Sequence, residues 1–160
     1  MGDLAVIRTP IGFLSIATSS NAVYKINFYN PNNNPVKLTP EIKYSVIMRK
    51  TIAELNEYFY EKRKKFNIRL KITTSPFSKK VLLKLIEVPF GDTVSYKDIA
   101  IKLKNQNAAR AVGMVNKYNP ISIIIPCHRV ISFNGGLGGY NAGLWRKKYL
   151  LKHEGVNIDF

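Results

Sequence analysis

A chain of 160 residues is long enough for one ordinary domain or two small ones with a real core, and 46% hydrophobic against 22% charged residues excludes a disordered polymer. No apolar run reaches the roughly 18 residues of a membrane span. Lys+Arg total 25 against 10 Asp+Glu, a net +15 that suits a polyanionic partner, nucleic acid above all, against the plainer alternative of a solvated lysine-rich surface.

In chain order, LAVIRT, GFLSIAT and AVYKINFY read as three short strands broken at Pro10-Ile11-Gly12 and Ser19-Ser20-Asn21, an antiparallel meander. NPNNNP (30–35) is a loop. From Glu41 to Tyr60 the positions Ile42, Val46, Ile47, Ile52, Leu55 and Phe59 follow a helical stripe, closed by EKRKK (61–65), whose cations favour a helix C-terminus. FNIRLKI (66–72) alternates like one more strand. TTSP (73–76) reads as a linker, with Ser75 and Pro76 also fitting the cap and first position of a helix that ends at Pro89-Phe90-Gly91. SYKDIAIKLK then opens as a capping box on Ser95 and Asp98. The break KNQN leads into AARAVGMVNKY, so two short helices joined by a tight turn read as a helix-turn-helix, a pattern any helical hairpin shares. Ala109 and Gly113 keep the second helix slim enough to approach a backbone, and Arg110 near its start could project into DNA. ISIII (121–125) reads as a buried strand, the 135–140 segment as a glycine loop, and GLWRKKYLLKHEG as a last amphipathic helix ending at Gly155. The expected fold class is α+β: a small antiparallel sheet-plus-helix subdomain (1–72), a linker (73–76), and a mostly helical subdomain (77–160) carrying the helix-turn-helix. Charge does not choose between the halves, since residues 1–74 carry a net +7 and residues 75–160 a net +8.

The only cysteine, Cys127, follows the isoleucine run and Pro126 and precedes His128 and Arg129. A lone thiol excludes an internal disulfide, and one Cys with two His is too few for a typical structural zinc site, so no metal or cofactor is expected. MGDLAVIRTP lacks the build of a signal peptide, and a reduced thiol fits a cytoplasmic chain, nucleoid-associated if prokaryotic. Free cysteines are often packed core residues. An adjacent histidine at the exit of a buried segment is instead the device that activates a nucleophile, given a third group to orient the ring. Glu87, Asp92, Asp98, Glu154 and Asp159 are the candidates in this half. Glu154 is poorly matched to the helix dipole at the end of the last helix, which points to a specific partner such as an imidazole.

IIIPCHRV resembles the signature of the O6-alkylguanine-DNA alkyltransferases, and VSYKDIA, AARAVG, NP, GGLGGY and LLKHEG follow in that family's order and spacing over about residues 75–156. The first seventy residues match only in kind, as the family's small ribonuclease-H-like subdomain. The resemblance implies irreversible, single-turnover transfer of an alkyl group from O6-alkylguanine, and less well O4-alkylthymine, in double-stranded DNA to Cys127. It implies His128 as the base acting through a water, Glu154 orienting the imidazole, and Tyr96 protonating the departing base. Arg110 would fill the vacated stack from the minor groove while the nucleotide is flipped out, with Ser95, Ala109, Gly113 and Lys117 on the same DNA-facing side. Asn119 would brace the turn between the helix-turn-helix and the active-site strand, and Tyr140 would wall the base pocket with Asn141, Ala142 and Asn116.

Two positions depart from the pattern. Asn141 and then Ala142 follow Tyr140 where many relatives have a serine that holds the guanine oxygen, and Asn116 stands where some have an apolar pocket residue. Both bear on alkyl-size preference rather than on the reaction. A non-catalytic lesion-binding module on the same fold is the alternative, disfavoured by the presence of Cys127; a cysteine hydrolase would need turnover, which a thioether does not allow. One-to-one chemistry gives no reason to expect more than a monomer.

Overall fold

In the computed structural model, which describes residues 2–33 and 35–158, the chain forms two compact units. The first runs as far as Ile72 and takes in Pro120–Ser122; the second holds Thr73–Asn119 and the chain from Ile123 onward. Among the described residues no helix is long and apolar enough to cross a membrane. Asn34, in the loop expected at 30–35, and Asp159 lie outside the described residues.

The first unit is built on an antiparallel sheet, β1 (Leu4–Thr9), β2 (Gly12–Thr18) and β3 (Val23–Tyr29), in chain order. Thr9 pairs with Gly12 across the Pro10-Ile11 turn, and the positive φ that the turn leaves at residue 12 (+107°) is one that glycine adopts readily. Helix α1 (Val46–Tyr60) packs on the sheet with Met48, Thr51, Leu55, Tyr58 and Phe59 buried. Its N-cap Ser45 accepts the Met48 N–H at 3.3 Å and donates its own hydroxyl to Asp3.

That cap corrects the expected stripe. Residues Glu41–Lys43 form a separate 3-10 turn, and the extended backbone of Ser45 breaks the helical phase after it. Ile42 therefore precedes the helix and Val46 starts it on the wet side, 86% and 83% exposed. The basic run lies beyond the helix end, and Arg63 turns back to pair with Glu57 and Glu54.

Residues 66–72 are not a strand. The free edge of β3 is divided between two segments: Leu70 bridges Val23, and Ile121 bridges Ile26, where Pro120 O accepts the Ile26 N–H at 2.9 Å. Neither segment keeps enough of the edge to build a ladder. The isoleucine run fails as a strand for the same reason, because only its first residues reach β3 before the chain turns at Ile123 (φ +74°). A β-branched residue in the left-handed region costs about 1–3 kcal/mol and persists only where packing holds it. Ile123 is 1% exposed.

The second unit holds helices α2 (Pro76–Ile86), α3 (Tyr96–Lys102), α4 (Ala109–Lys117) and α5 (Leu144–His153). A two-residue parallel ladder joins β4 (Val94–Ser95) to β5 (Val130–Ile131). Ser75 caps α2, with Pro76 at its first position, and both hydrogen bonds of the capping box on Ser95 and Asp98 are made. Helices α3 and α4, joined through Leu103–Ala108, pack together as the helix-turn-helix. Along α5, Lys147, Leu150 and Leu151 are buried, and the C-cap Glu154 extends that face before Gly155 (φ +80°) ends the helix.

Candidate active site

Pro126 sits at φ −82°, ψ 64°, the centre of an inverse γ-turn in which the Cys127 N–H donates to Ile125 O at 2.8 Å. Proline suits this position because its φ is preset and it has no N–H to satisfy. Asn119 Nδ2 donates to the same Ile125 carbonyl at 2.8 Å, so an α4-end side chain grips the turn. Cys127 opens a short 3-10 turn, Cys127–Arg129, and is 4% exposed.

His128 and Glu154 meet in the interior: Nε2 lies 2.7 Å from Glu154 Oε1, both side chains fully excluded from solvent. The other ring nitrogen, Nδ1, has no protein hydrogen-bond partner among the described residues. Arg129 closes on the same carboxylate through two bonds, Nε to Oε2 at 2.8 Å and Nη2 to Oε1 at 2.9 Å, while Nη1 donates to Val88 O at 2.6 Å. Burial alone would raise the Glu154 pKa, but the hydrogen bonds and charges of His128 and Arg129 outweigh it and hold the carboxyl well below the usual range. Burial lowers the His128 pKa against the opposing pull of Glu154, so the ring is neutral near pH 7 and able to accept a proton. Of the other carboxylates considered for this role, Glu87 pairs with Lys84 on the surface, Asp92 is exposed and Asp98 is committed to its cap.

Lys147 completes the cluster. Its side chain is fully buried, and Nζ donates to Val130 O at 2.6 Å and to Gly139 O at 3.0 Å, tying the β5 segment to the glycine loop. Burial lowers its pKa to about 8, with Cys127 pulling the other way. Burial likewise pushes the Cys127 thiol up, opposed by a hydrogen bond from Asn119, the Lys147 charge and a hydrogen bond from Tyr140. With Cys127 protonated, Arg129 and Lys147 outnumber Glu154 by one charge. Ionising the thiol neutralises the cluster, which favours a thiolate when the reaction calls for one.

Tyr140 is held near Cys127, and burial and that thiol raise its pKa well above the ordinary value. Tyr96, the first residue of α3, is raised by burial and then by Cys127. Gly138 (φ +72°) leaves room for it: a Cβ there would lie 3.1 Å from the Tyr96 hydroxyl. Gly113 on α4 lies over the Tyr96 ring, where a Cβ would make ordinary contact at 3.7 Å. Arg110 and Lys117 are exposed on α4, Ala109 is half-buried beside Arg110, and Ser95 is buried in its cap. Asn141 is exposed and Ala142 half-buried, its carbonyl accepting from Arg146 at 2.6 Å. Asn116 is 5% exposed and donates Nδ2 to the Cys127 carbonyl at 3.2 Å.

The sequence alone does not place Arg129 in the cluster. Lys147 carries a readable signal, because 147, 150, 151 and 154 fall on one helical face and a lysine stands where an apolar residue is expected.

A buried thiol, next in the chain to a carboxylate-held histidine and in the same unit as a helix-turn-helix, is an arrangement suited to nucleophilic chemistry in a DNA-binding protein. Residues 76–156 match the family described as 6-O-methylguanine DNA methyltransferase, DNA binding domain. The methylated-DNA–protein-cysteine methyltransferase of Methanosarcina acetivorans is 37% identical over 151 residues, covering 94% of this chain and 97% of that one. The crystal structure of the Mycobacterium tuberculosis O6-methylguanine methyltransferase superposes with a TM-score of 0.83 at 34% identity, covering 96% of this chain and 93% of the other. A structure of Mycobacterium tuberculosis OGT in complex with DNA gives the same TM-score at 35% identity over 93% of this chain and 90% of that one. This chain belongs to the 6-O-methylguanine DNA methyltransferase family.

Proposed function

We propose that the chain repairs double-stranded DNA by taking the alkyl group of O6-alkylguanine, and less readily of O4-alkylthymine, onto Cys127 in a single irreversible turnover. The observation that carries this reading is the 2.7 Å contact of His128 with Glu154 immediately after the chain's only thiol. His128, through a water at Nδ1, takes the thiol proton; Glu154 fixes the tautomer that leaves Nδ1 an acceptor. The sulfur attacks the alkyl carbon in line, the S–C bond forms as the C–O bond breaks, and the guanine oxygen leaves with the bonding pair. Tyr96 supplies the departing base with a proton and regains one as the His128 imidazolium gives up the thiol's proton through water, so the net change is the thiol hydrogen exchanged for the alkyl group.

The reacting atom of a paired guanine lies inside the duplex, so the nucleotide must rotate out. Arg110, exposed on α4, is suited to fill the gap from the minor groove, with Ala109, Gly113 and Lys117 on the same side of that helix; Ser95, expected there too, is buried as the cap of α3 and serves by holding that helix. Asn119 braces the turn at Cys127, and Tyr140, Asn141 and Ala142 border the base. One thiol per lesion calls for no assembly, which fits a monomer, and a thiol that must stay reduced fits the cytoplasm.

The test is intact mass after incubation with benzylated guanine. The expected result is one benzyl adduct per chain, located at Cys127, with none on Cys127→Ala, which still binds duplex DNA. Adducts elsewhere, or repeated turnover, would contradict the reading.

A further inference from the structure

Asn116 is buried at a cost that folding does not require. Its Nδ2 donates to Cys127 O at 3.2 Å, but that carbonyl already accepts the Val130 N–H that closes the 3-10 turn. A carbonyl has two lone pairs and is satisfied by one donor, so the amide adds a second bond to a group that lacked nothing. Its own Oδ1 is buried with no hydrogen-bond partner among the described residues. A buried acceptor without a donor lowers stability, so an apolar side chain of the same shape is expected to be tolerated by the fold. A residue that lowers stability in a tightly packed place is expected where function holds it there.

What the amide does is geometric. Asn116 lies in the last turn of α4 and Asn119 just past its C-cap, and both are buried. Asn119 holds the carbonyl before Pro126, and Asn116 holds the carbonyl of Cys127 itself. Between them lie Pro126, whose carbonyl accepts the Arg129 N–H at 3.0 Å, and the Cys127 N–H, which is spent on the γ-turn. The two amides therefore grip the nucleophile's backbone from both sides of its Cα and fix the direction in which the Cβ–Sγ bond leaves the chain. The grip comes from the second helix of the helix-turn-helix.

We propose that Asn116 is a positioning residue for alkyl transfer: its side-chain amide holds the Cys127 carbonyl and so aims the thiol. The proposal rests on the alkyl-transfer reading above and goes beyond a pocket-lining role. The bond exists without DNA, so its loss slows transfer from a free benzylated base as well as from an alkylated duplex, and leaves duplex affinity alone.

Two substitutions test it. Asn116→Leu removes both polar atoms at nearly constant volume. Its expected transfer rate is about tenfold lower on both substrates, the equivalent of one net hydrogen bond felt in the transition state, with a melting temperature equal to or above the parent's. Asn116→Asp is isosteric and loses the donor when ionised, but its protonated carboxyl can donate to the Cys127 carbonyl again. Burial raises such a carboxyl, so the ratio of variant rate to parent rate should climb as pH falls from about 8 to about 5.5. Cys127, His128, Tyr140, Lys147 and Glu154 titrate in both proteins and largely cancel in the ratio. A ratio independent of pH, an Asn116→Leu protein as fast as the parent, or one that melts well below it would each overturn the positioning role. A parent that transfers no benzyl group would overturn the alkyl-transfer reading, and this proposal with it.

Discussion

His128 and Arg129, neighbours in the chain, end on the same carboxylate: Glu154 receives the imidazole at 2.7 Å and the guanidinium at 2.8 and 2.9 Å. One side chain thus sets the tautomer of the proposed base and neutralises a buried cation. Glu154→Gln keeps the shape and removes the charge. The amide can present an N–H to Nε2 and force the proton onto Nδ1, where an acceptor is needed. Single-turnover transfer should fall about 10²–10⁴-fold, the usual worth of general-base catalysis. Leaving Arg129 without its counter-charge should also cost up to about 3–5 kcal/mol in a denaturant melt.

Acid should unfold the protein in two stages. The native state holds His128 neutral, so below about pH 6.5 the unfolded chain binds the proton first and stability falls as pH falls. Glu154 is depressed in the native state, so its contribution is complete above the unfolded value of about 4.3 and is lost as pH drops below that toward the native value. Melting temperatures from pH 8 to pH 4 should fall gently below about 6.5 and more steeply below about 4.5, and Glu154→Gln should show a weaker second stage, with Asp98, held low by its cap on Ser95, left to supply the rest. A melting temperature that rose between neutral and pH 5 would contradict this assignment.

Lys147 gives the reaction an upper pH limit. Its ammonium deprotonates near pH 8, and with it goes the cation that favours the Cys127 thiolate. Transfer rates should therefore stop rising, or decline, above about pH 8. Lys147→Met should be about tenfold slower at neutral pH and show no break there. A variant that kept the break would place it on another group.

Alkylation turns Cys127 into a bulkier thioether in a site that is 4% exposed. Forcing extra methylenes into a packed site costs about 1–3 kcal/mol, and more for a benzyl than for a methyl group. The reacted protein should melt below the free protein, and the benzylated form below the methylated one, in scans of samples whose single adduct is verified by mass. An unchanged midpoint for the benzyl adduct would refute the expected crowding.

What could be read from the sequence was what local chemistry decides. Ser75-Pro76 and Ser95 with Asp98 announce helix starts because the side chains that satisfy the first N–H groups sit within a turn of them. Glu154 could be suspected because a carboxylate at a helix C-terminus needs a partner. Phe66 to Ile72 and Ile121 to Ile125 resemble strands in the sequence because alternation and apolar runs report burial, whereas a strand also needs a free edge of sufficient length. Ile42 and Val46 fall on the apolar stripe of the sequence because nothing in the stripe itself shows that Ser45 resets the phase. Lys147 hid in a basic run, as a residue type that is nearly always solvated. The hydrogen bond of Asn116 to the chain at residue 127 is not legible in the sequence because it depends on tertiary placement.

Ser95 pairs with Ile131 in the two-residue ladder and caps α3, and Tyr96 is the next residue. The azimuth of the Tyr96 ring around the helix axis is therefore set by a cap that touches no base and no thiol. In a library randomised over the whole chain and selected for survival under an alkylating agent, Asp98 should tolerate replacement as poorly as residues that meet the lesion. Its hydrogen bond to the Ser95 backbone, 2.8 Å, indexes a side chain two positions away. A map of intolerance would then draw the site larger than its chemistry, with an outlying spot on an exposed acidic residue whose work is angular.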